Sequence, residues 1–180
     1  GSLCGKSSAE CITQVMTKEF IRNNYGAFKL MYDCYFPLFG ISCASGHCGM
    51  HVNMSLGLFG KTDKNQDEAI RKLYYIVNKY FKTICTATDR NPENTGYCER
   101  NAPERAKEVE ARYLGSGHYT SFNTAHYDSG RIELRLVGGQ KCFYSFRSTM
   151  ELIFWLVDRV KSISWEDCDS IVKIFSGCNQ

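Results

Sequence analysis

The stretch Cys48-Gly49-Met50-His51-Val52-Asn53-Met54-Ser55-Leu56 constrains the fold more than any other. Met50, Val52, Met54 and Leu56 alternate with His51, Asn53 and Ser55. A period of two predicts a β-strand with one buried face, because successive side chains leave a pleated backbone on opposite sides. Small residues from Ser45 to Gly49 lead into it. Its second face carries imidazole, amide and hydroxyl, groups that can hold a metal ion or a phosphate. Two readings stand on spacing alone: a wet sheet face, or a binding site.

A later stretch has the same form. Tyr119-Thr120-Ser121-Phe122-Asn123 leads through Tyr127-Asp128-Ser129-Gly130 into a run from Arg131 to Gly139. Ile132, Leu134 and Leu136 fall on one face, and Arg131, Glu133 and Arg135 on the other. Turn residues between two strand-like runs predict a hairpin. An alternating charge ladder is also something an exposed sheet face tolerates. If the two polar-faced strands are neighbours, a chemistry follows. His51 and Glu133 supply imidazole and carboxylate ligands for Mg²⁺ or Mn²⁺, with phosphates completing the shell. Arg135 supplies a planar fork for a phosphoryl group.

The rest reads as helices and loops. Ser7 and Glu10 form a capping-box pattern, and Ile12, Val15, Met16 and Phe20 recur at helical spacing, predicting a helix over residues 8–24. Phe28 to Phe36 is rich in aromatics and is expected as a strand or extended segment, ended by Pro37 and Gly40. Ile70, Leu73, Tyr74, Val77, Phe81 and Ile84 predict a long amphipathic helix. Residues 89–101 are polar and aperiodic, with Pro92 and Gly96, and are expected as an exposed loop. A short, solvated helix is expected from Pro103 to about Tyr113. Ser148 with Glu151 and Ser164 with Asp167 predict the starts of two C-terminal helices, the second ending at Gly177. Trp155 and Trp165 are expected to pack in the core or at its edge. A few strands with long helices between them predict an α+β fold: a small, mostly antiparallel sheet with helices packed on one face, in a single domain over residues 1–180.

Composition narrows the classes of function. A 43% hydrophobic and 23% charged content is ordinary for a globular chain. A net charge of +3 demands no nucleic-acid partner. Lys61, Lys64, Arg71, Lys72, Lys79 and Lys82 with Tyr75 and Tyr80 spread round their helix with acids between them, which disfavours nucleic acid. No apolar run reaches about 18 residues, so no membrane partner is expected and the cytoplasm is the expected compartment. Of the ten cysteines, Cys11, Cys85 and Cys142 fall at apolar positions, and mostly reduced thiols are expected. Cys43, His47, Cys48 and His51 lie close together, but their spacing does not match paired zinc knuckles.

The run from Cys48 to Leu56 resembles the Gly-Met-His-Val-His-x-Ser-Leu strand of glutamine synthetases. It also resembles the Cys-Gly-Leu-His-Val-His strand of the amidoligases, often phage-borne, in the same carboxylate-amine ligase superfamily. Tyr119 to Gly139 resembles their later segment, an aromatic-Asn strand, a turn and an Ile/Val-Glu-Phe/Leu-Arg strand. The resemblance covers roughly residues 8–163 and implies part of a glutamine synthetase-like catalytic fold. It implies an ATP- and Mg²⁺-dependent (or Mn²⁺-dependent) ligase that turns a carboxylate into an acyl phosphate, which an amine then displaces to give an amide. Its substrates would be ATP and a carboxylate–amine pair, with a peptide or protein among the candidates. By the resemblance, His51 and Glu133 would ligate metal and Arg135 and Arg131 would bind phosphate. Asn53 and Ser55 would lie towards the nucleotide, and Gly49 near the substrate carboxylate.

Two features depart from that pattern. Asn53 stands where the family has a second histidine, and no Glu-x-Glu strand precedes Cys48. The chain is therefore expected to be either the C-terminal part of a longer ligase domain or a shortened member. The alternative function is a catalytically degenerate ligase-like module that binds a protein or nucleic acid in phage–host interaction. A weaker third reading is a rolling-circle nuclease, with His51 near a metal and Tyr75 or Tyr80 as nucleophile.

Overall fold

The computed structural model describes residues 12–38, 49–93, 98–115, 117 and 119–177. In chain order these form α1 (Lys18–Asn23), α2 (Tyr25–Leu30), a π turn (Met31–Tyr35), α3 (Phe36–Leu38) and β1 (Gly49–Ser55). Then come α4 (Asp63–Lys79), α5 (Phe81–Ala87), α6 (Arg105–Glu108) and β2 (Phe122–Asn123). β3 (Arg131–Gly138), α7 (Phe143–Arg159) and α8 (Ile171–Phe175) complete them. The fold is α+β, with a three-stranded antiparallel sheet in the order β1-β3-β2.

The sheet is half core and half surface, as its sequence period requires. Met54, Ile132, Leu134 and Leu136 are buried, while His51, Asn53, Ser55 and Arg131 are exposed. The buried side joins one core with Ile70, Leu73, Tyr74 and Val77 of α4 and Ile153, Leu156 and Val157 of α7. Burying a side chain of this kind contributes roughly 1.5–3 kcal/mol, so this two-sided contrast fixes the regular pairing of Val52–Ser55 with Arg131–Leu134.

The first helix starts later than its periodicity predicts. Residues 12–17 are not helical, and Thr17 Oγ1 accepts from Phe20 N–H at 3.0 Å, capping α1. Ile12 and Val15 are exposed, and Ile21 takes the buried position instead. β-Branched Ile12, Thr13 and Val15 favour helix weakly, whereas Thr17 is a good N-cap. Ser7 and Glu10 lie outside the described residues.

The expected strand from Phe28 to Phe36 is helical. Phe28, Tyr32 and Phe36 recur every four residues, which places them on one helical stripe. That stripe packs on α7: Phe28 and Tyr32 ring centroids lie 4.9 and 5.6 Å from Phe146. Arg22 Nη2 and Glu151 Oε2 pair at 2.6 Å, and Tyr25 Oη donates to Glu151 Oε1 at 2.8 Å, anchoring the same segment.

Other boundaries shift for local reasons. The long helix is interrupted at Tyr80 (φ −101°, ψ 31°), giving α4 and α5. α7 begins at Phe143 rather than Ser148, because buried Phe143 and Phe146 extend its apolar face by a turn and more. Ser164 Oγ does accept from Asp167 N–H at 3.1 Å, but it starts a 3₁₀ turn, and α8 follows Ser170. The loop after α5 is not simply exposed, since Arg90 and Cys98 are buried. The segment after Pro103 divides into α6 and a 3₁₀ turn over Ala111–Tyr113, with Ala106 and Ala111 buried.

Cys34, Cys85, Cys98, Cys142 and Cys168 are unpaired. Cys142 is exposed at the start of α7, contrary to its expected apolar setting. Cys11, Cys43, His47 and Cys48 lie outside the described residues. Among the described residues, no helix is long and apolar enough to cross a membrane.

Candidate functional site

The hairpin between β2 and β3 is set by Gly130, whose left-handed backbone (φ 81°) is costly for any side chain. Leu56 N–H donates to Gly130 O at 2.9 Å, tying the end of β1 to this turn. From there β1 and β3 pair with Ser55 opposite Arg131, Asn53 opposite Glu133 and Val52 opposite Leu134. The two polar rows therefore share one side of the sheet. On the far side of β3, Asn123 of β2 also pairs with Glu133.

The ladder then breaks. Met50 pairs with Val137, so His51 alone faces both Arg135 and Leu136. This is a β-bulge with the extra residue on β3. Next to it, His51 Nδ1 lies 3.1 Å from Glu133 Oε1, and Arg135 Nη1 lies 3.2 Å from Glu133 Oε2. The Glu133 and Arg135 side chains are only 13% and 11% exposed, and that of His51 is 36% exposed. The hydrogen bond from His51, and then the charge of Arg135, hold the Glu133 carboxyl below the usual carboxylate range against the opposing cost of burial. Arg135 Nε is buried with no partner among the described residues.

The structure brings His51, Glu133 and Arg135 into one contact chain. Asn53, Ser55 and Arg131 lie beside it and are exposed. Gly49 sits at the bulged end, where a Cβ would come within 2.7 Å of Arg90 Nη2.

Among the described residues no group of three or more His, Cys, Asp or Glu side chains could hold a metal ion, and His51 with Glu133 forms a pair. The 3.1 Å between His51 Nδ1 and Glu133 Oε1 is hydrogen-bond spacing, which would have to open for both atoms to ligate one ion. One carboxylate is enough where phosphates supply the remaining oxygens. The unsatisfied Arg135 donor suits an anionic oxygen.

No family model, curated protein or solved structure matches this chain.

Two residues at the site escape periodicity. Arg90, in the polar loop after α5, donates from Nε to Leu136 O at 3.0 Å and from Nη2 to Val137 O at 3.0 Å. Asn123 is buried against Glu133 and uses its Oδ1 to accept from Ala125 N–H at 2.8 Å. The aromatic-Asn pairing hints at Asn123, whereas nothing in the sequence around Arg90 distinguishes it from a solvated loop cation. Of the two tyrosines of the nuclease reading, Tyr75 is buried and its hydroxyl donates to Asp169, while Tyr80 is half-buried.

Proposed function

We propose that the polar face of β1 and β3 is the phosphoryl-transfer surface of an ATP- and Mg²⁺-dependent carboxylate-amine ligase of the amidoligase type. One observation carries this reading: two strands distant in sequence pair so that imidazole, carboxylate and guanidinium form a continuous chain at 3.1 and 3.2 Å. In this reading His51 and Glu133 hold Mg²⁺ or Mn²⁺, which neutralises charge on the nucleotide phosphates. Glu133 is a ready anion, because its partners already favour the ionised form. Arg135 places a fixed positive charge where a transferring phosphoryl group needs it, with no reorganisation during the reaction. Arg131, at the exposed end of the row, guides the phosphates in. Asn53 and Ser55 offer amide and hydroxyl groups to the nucleotide, and Gly49 keeps the backbone accessible to the substrate carboxylate. Forming the acyl phosphate transfers the γ-phosphoryl to the carboxylate oxygen and releases ADP. The amine nitrogen then attacks the acyl carbon and expels phosphate.

A second reading is a ligase-like module that binds a protein or nucleic-acid partner without turnover. It is favoured by Asn53, which lacks an imidazole, and by the closed pairing of Glu133 with both of its neighbours. Calorimetric titration with Mg²⁺ and ATP, alongside phosphate-release assays, separates the two. The ligase reading expects binding by the wild type and its loss in Glu133→Ala and Arg135→Ala, with the circular dichroism of both variants kept. A wild-type chain that binds neither Mg²⁺ nor ATP overturns it.

A further inference from the structure

Arg90 lies outside both polar strands, yet it touches the backbone of the site at three consecutive positions. Its Nε donates to Leu136 O at 3.0 Å, and its Nη2 donates to Val137 O at 3.0 Å and Arg135 O at 3.4 Å. Arg90 is buried, and among the described residues no carboxylate pairs with it. Burying a guanidinium is costly unless its donors are satisfied, and here carbonyl dipoles satisfy them. These carbonyls belong to the bulge, the segment where a regular ladder leaves an extra residue without a strand partner.

We propose that Arg90 is a positioning residue that sets the register of the site by clamping the bulge at Arg135–Val137. Without the bulge, continuing the pairing from Val52–Leu134 would put His51 directly opposite Arg135 and Met50 opposite Leu136. His51 would then face Arg135 alone rather than Arg135 and Leu136 together. With the bulge, Met50 pairs with Val137, and His51 reaches diagonally to Glu133. Arg90 is chemically suited to the task. A planar fork reaches several carbonyls of one strand at once, which the point charge of a lysine cannot do. Two glycines make the approach possible. At Gly49 a Cβ would stand 2.7 Å from Arg90 Nη2, and at Gly138 it would stand 2.7 Å from the Arg90 backbone nitrogen. Gly138 N–H donates to Thr88 O at 3.0 Å, holding the chain leading to Arg90 against the end of β3.

The inference rests on the ligase reading only for its consequence on nucleotide binding. The register itself is testable alone. In Arg90→Met, cross-strand nuclear Overhauser contacts should show Met50 leaving Val137 for Leu136, while Asn53 stays opposite Glu133. Arg90→Lys should show both registers. Should Arg90→Met not fold, Gly49→Ala serves instead, since its methyl group displaces the guanidinium while keeping the charge. A register unchanged in the variant that folds overturns the proposal, because a role in stability alone lowers the melting temperature without moving Met50. Titration with Mg²⁺ and ATP is the second arm. Binding should weaken by about tenfold or more in the register-shifted variant, as when a residue orienting metal ligands is lost. A register shift in a protein whose wild type binds no Mg²⁺–ATP would uphold the role of Arg90 and overturn the ligase reading. A register shift that leaves wild-type nucleotide affinity intact would overturn the link between them.

Discussion

His51 Nδ1 meets Glu133 Oε1 at 3.1 Å diagonally across a bulged strand pair, and that contact dominates the charge state of Glu133. The carboxyl is held below the usual range in the folded chain and returns to it on unfolding. A depressed folded pKa contributes stability that is present above the ordinary glutamate range. That contribution is lost as pH falls through the folded value, because the unfolded state binds the proton first. Glu133→Gln should therefore cost about 1–2 kcal/mol at neutral pH. The gap to wild type should close as the pH falls below the ordinary glutamate range. Melting temperatures measured for both proteins across that interval check this, and a gap that stays constant with pH counts against it.

Gly138 is a steric requirement. A methyl group there would run into the backbone of Asp89 and stand 2.7 Å from Arg90 N. Backbone atoms cannot swing aside as side chains do. Gly138→Ala should cost about 1–3 kcal/mol or more, the usual penalty of overpacking. Gly130→Ala is the control. It meets open space, but its φ of 81° is strained, so about 1 kcal/mol is expected. Urea denaturation of the pair should rank Gly138→Ala as the more damaging.

Glu151 fastens the N-terminal helices to α7 through Arg22 and Tyr25. The pair is about half exposed, so its contribution is modest, about 1 kcal/mol after solvent screening. The aromatic contacts of Phe28 and Tyr32 with Phe146 carry the rest. Glu151→Ala should leave the main melting transition nearly unchanged but speed proteolysis between residues 17 and 38. Equal cleavage rates in variant and wild type would show that the aromatic contacts suffice.

What could be read from the sequence followed from which signals are local. The alternation of β1 and β3 is legible because a half-buried strand marks every second residue, whereas their pairing stands in the sequence only as a condition that the backbone register meets. Phe28 to Phe36 is spelled like a strand because its aromatic richness masks the four-residue spacing of Phe28, Tyr32 and Phe36 that makes it helical. The bulge leaves only a trace, the adjacent apolar pair Leu136-Val137, both buried. Arg90 leaves none. A buried arginine satisfied by carbonyls is spelled like a solvated one, and its partners lie more than forty positions away.

The thiols divide by burial. Desolvation pushes Cys85 up to about 12, and Cys98 and Cys168 to about 11. Since the thiolate is the reactive species, these three should resist alkylation near neutral pH. Cys34 and Cys142 are exposed. Brief iodoacetamide treatment followed by peptide mapping should label Cys34 and Cys142 and spare the other three until denaturant is added. Early labelling of Cys85 would contradict its burial.

Asn78 is fully buried and joins the long helix to the strand region beside the site. Its Nδ2 donates to Tyr74 O at 2.9 Å, and its Oδ1 accepts from Asn101 N–H and Ser121 Oγ, both at 2.9 Å. Ser121 O in turn accepts from Arg135 N–H at 2.8 Å. Asn78→Ala strands the buried Ser121 hydroxyl and the part-buried Asn101 N–H at once, so a loss of about 2–3 kcal/mol is expected. Ser121→Ala removes one donor and leaves Oδ1 satisfied by Asn101, so about 1 kcal/mol is expected. The two share one acceptor, and their effects should not add. The double variant should be hardly less stable than Asn78→Ala alone, because the donor stranded by the first change is the one deleted by the second. Denaturant midpoints for the two single variants and the double variant decide it, and a simple sum of the single costs would show that Asn78 and Ser121 act independently.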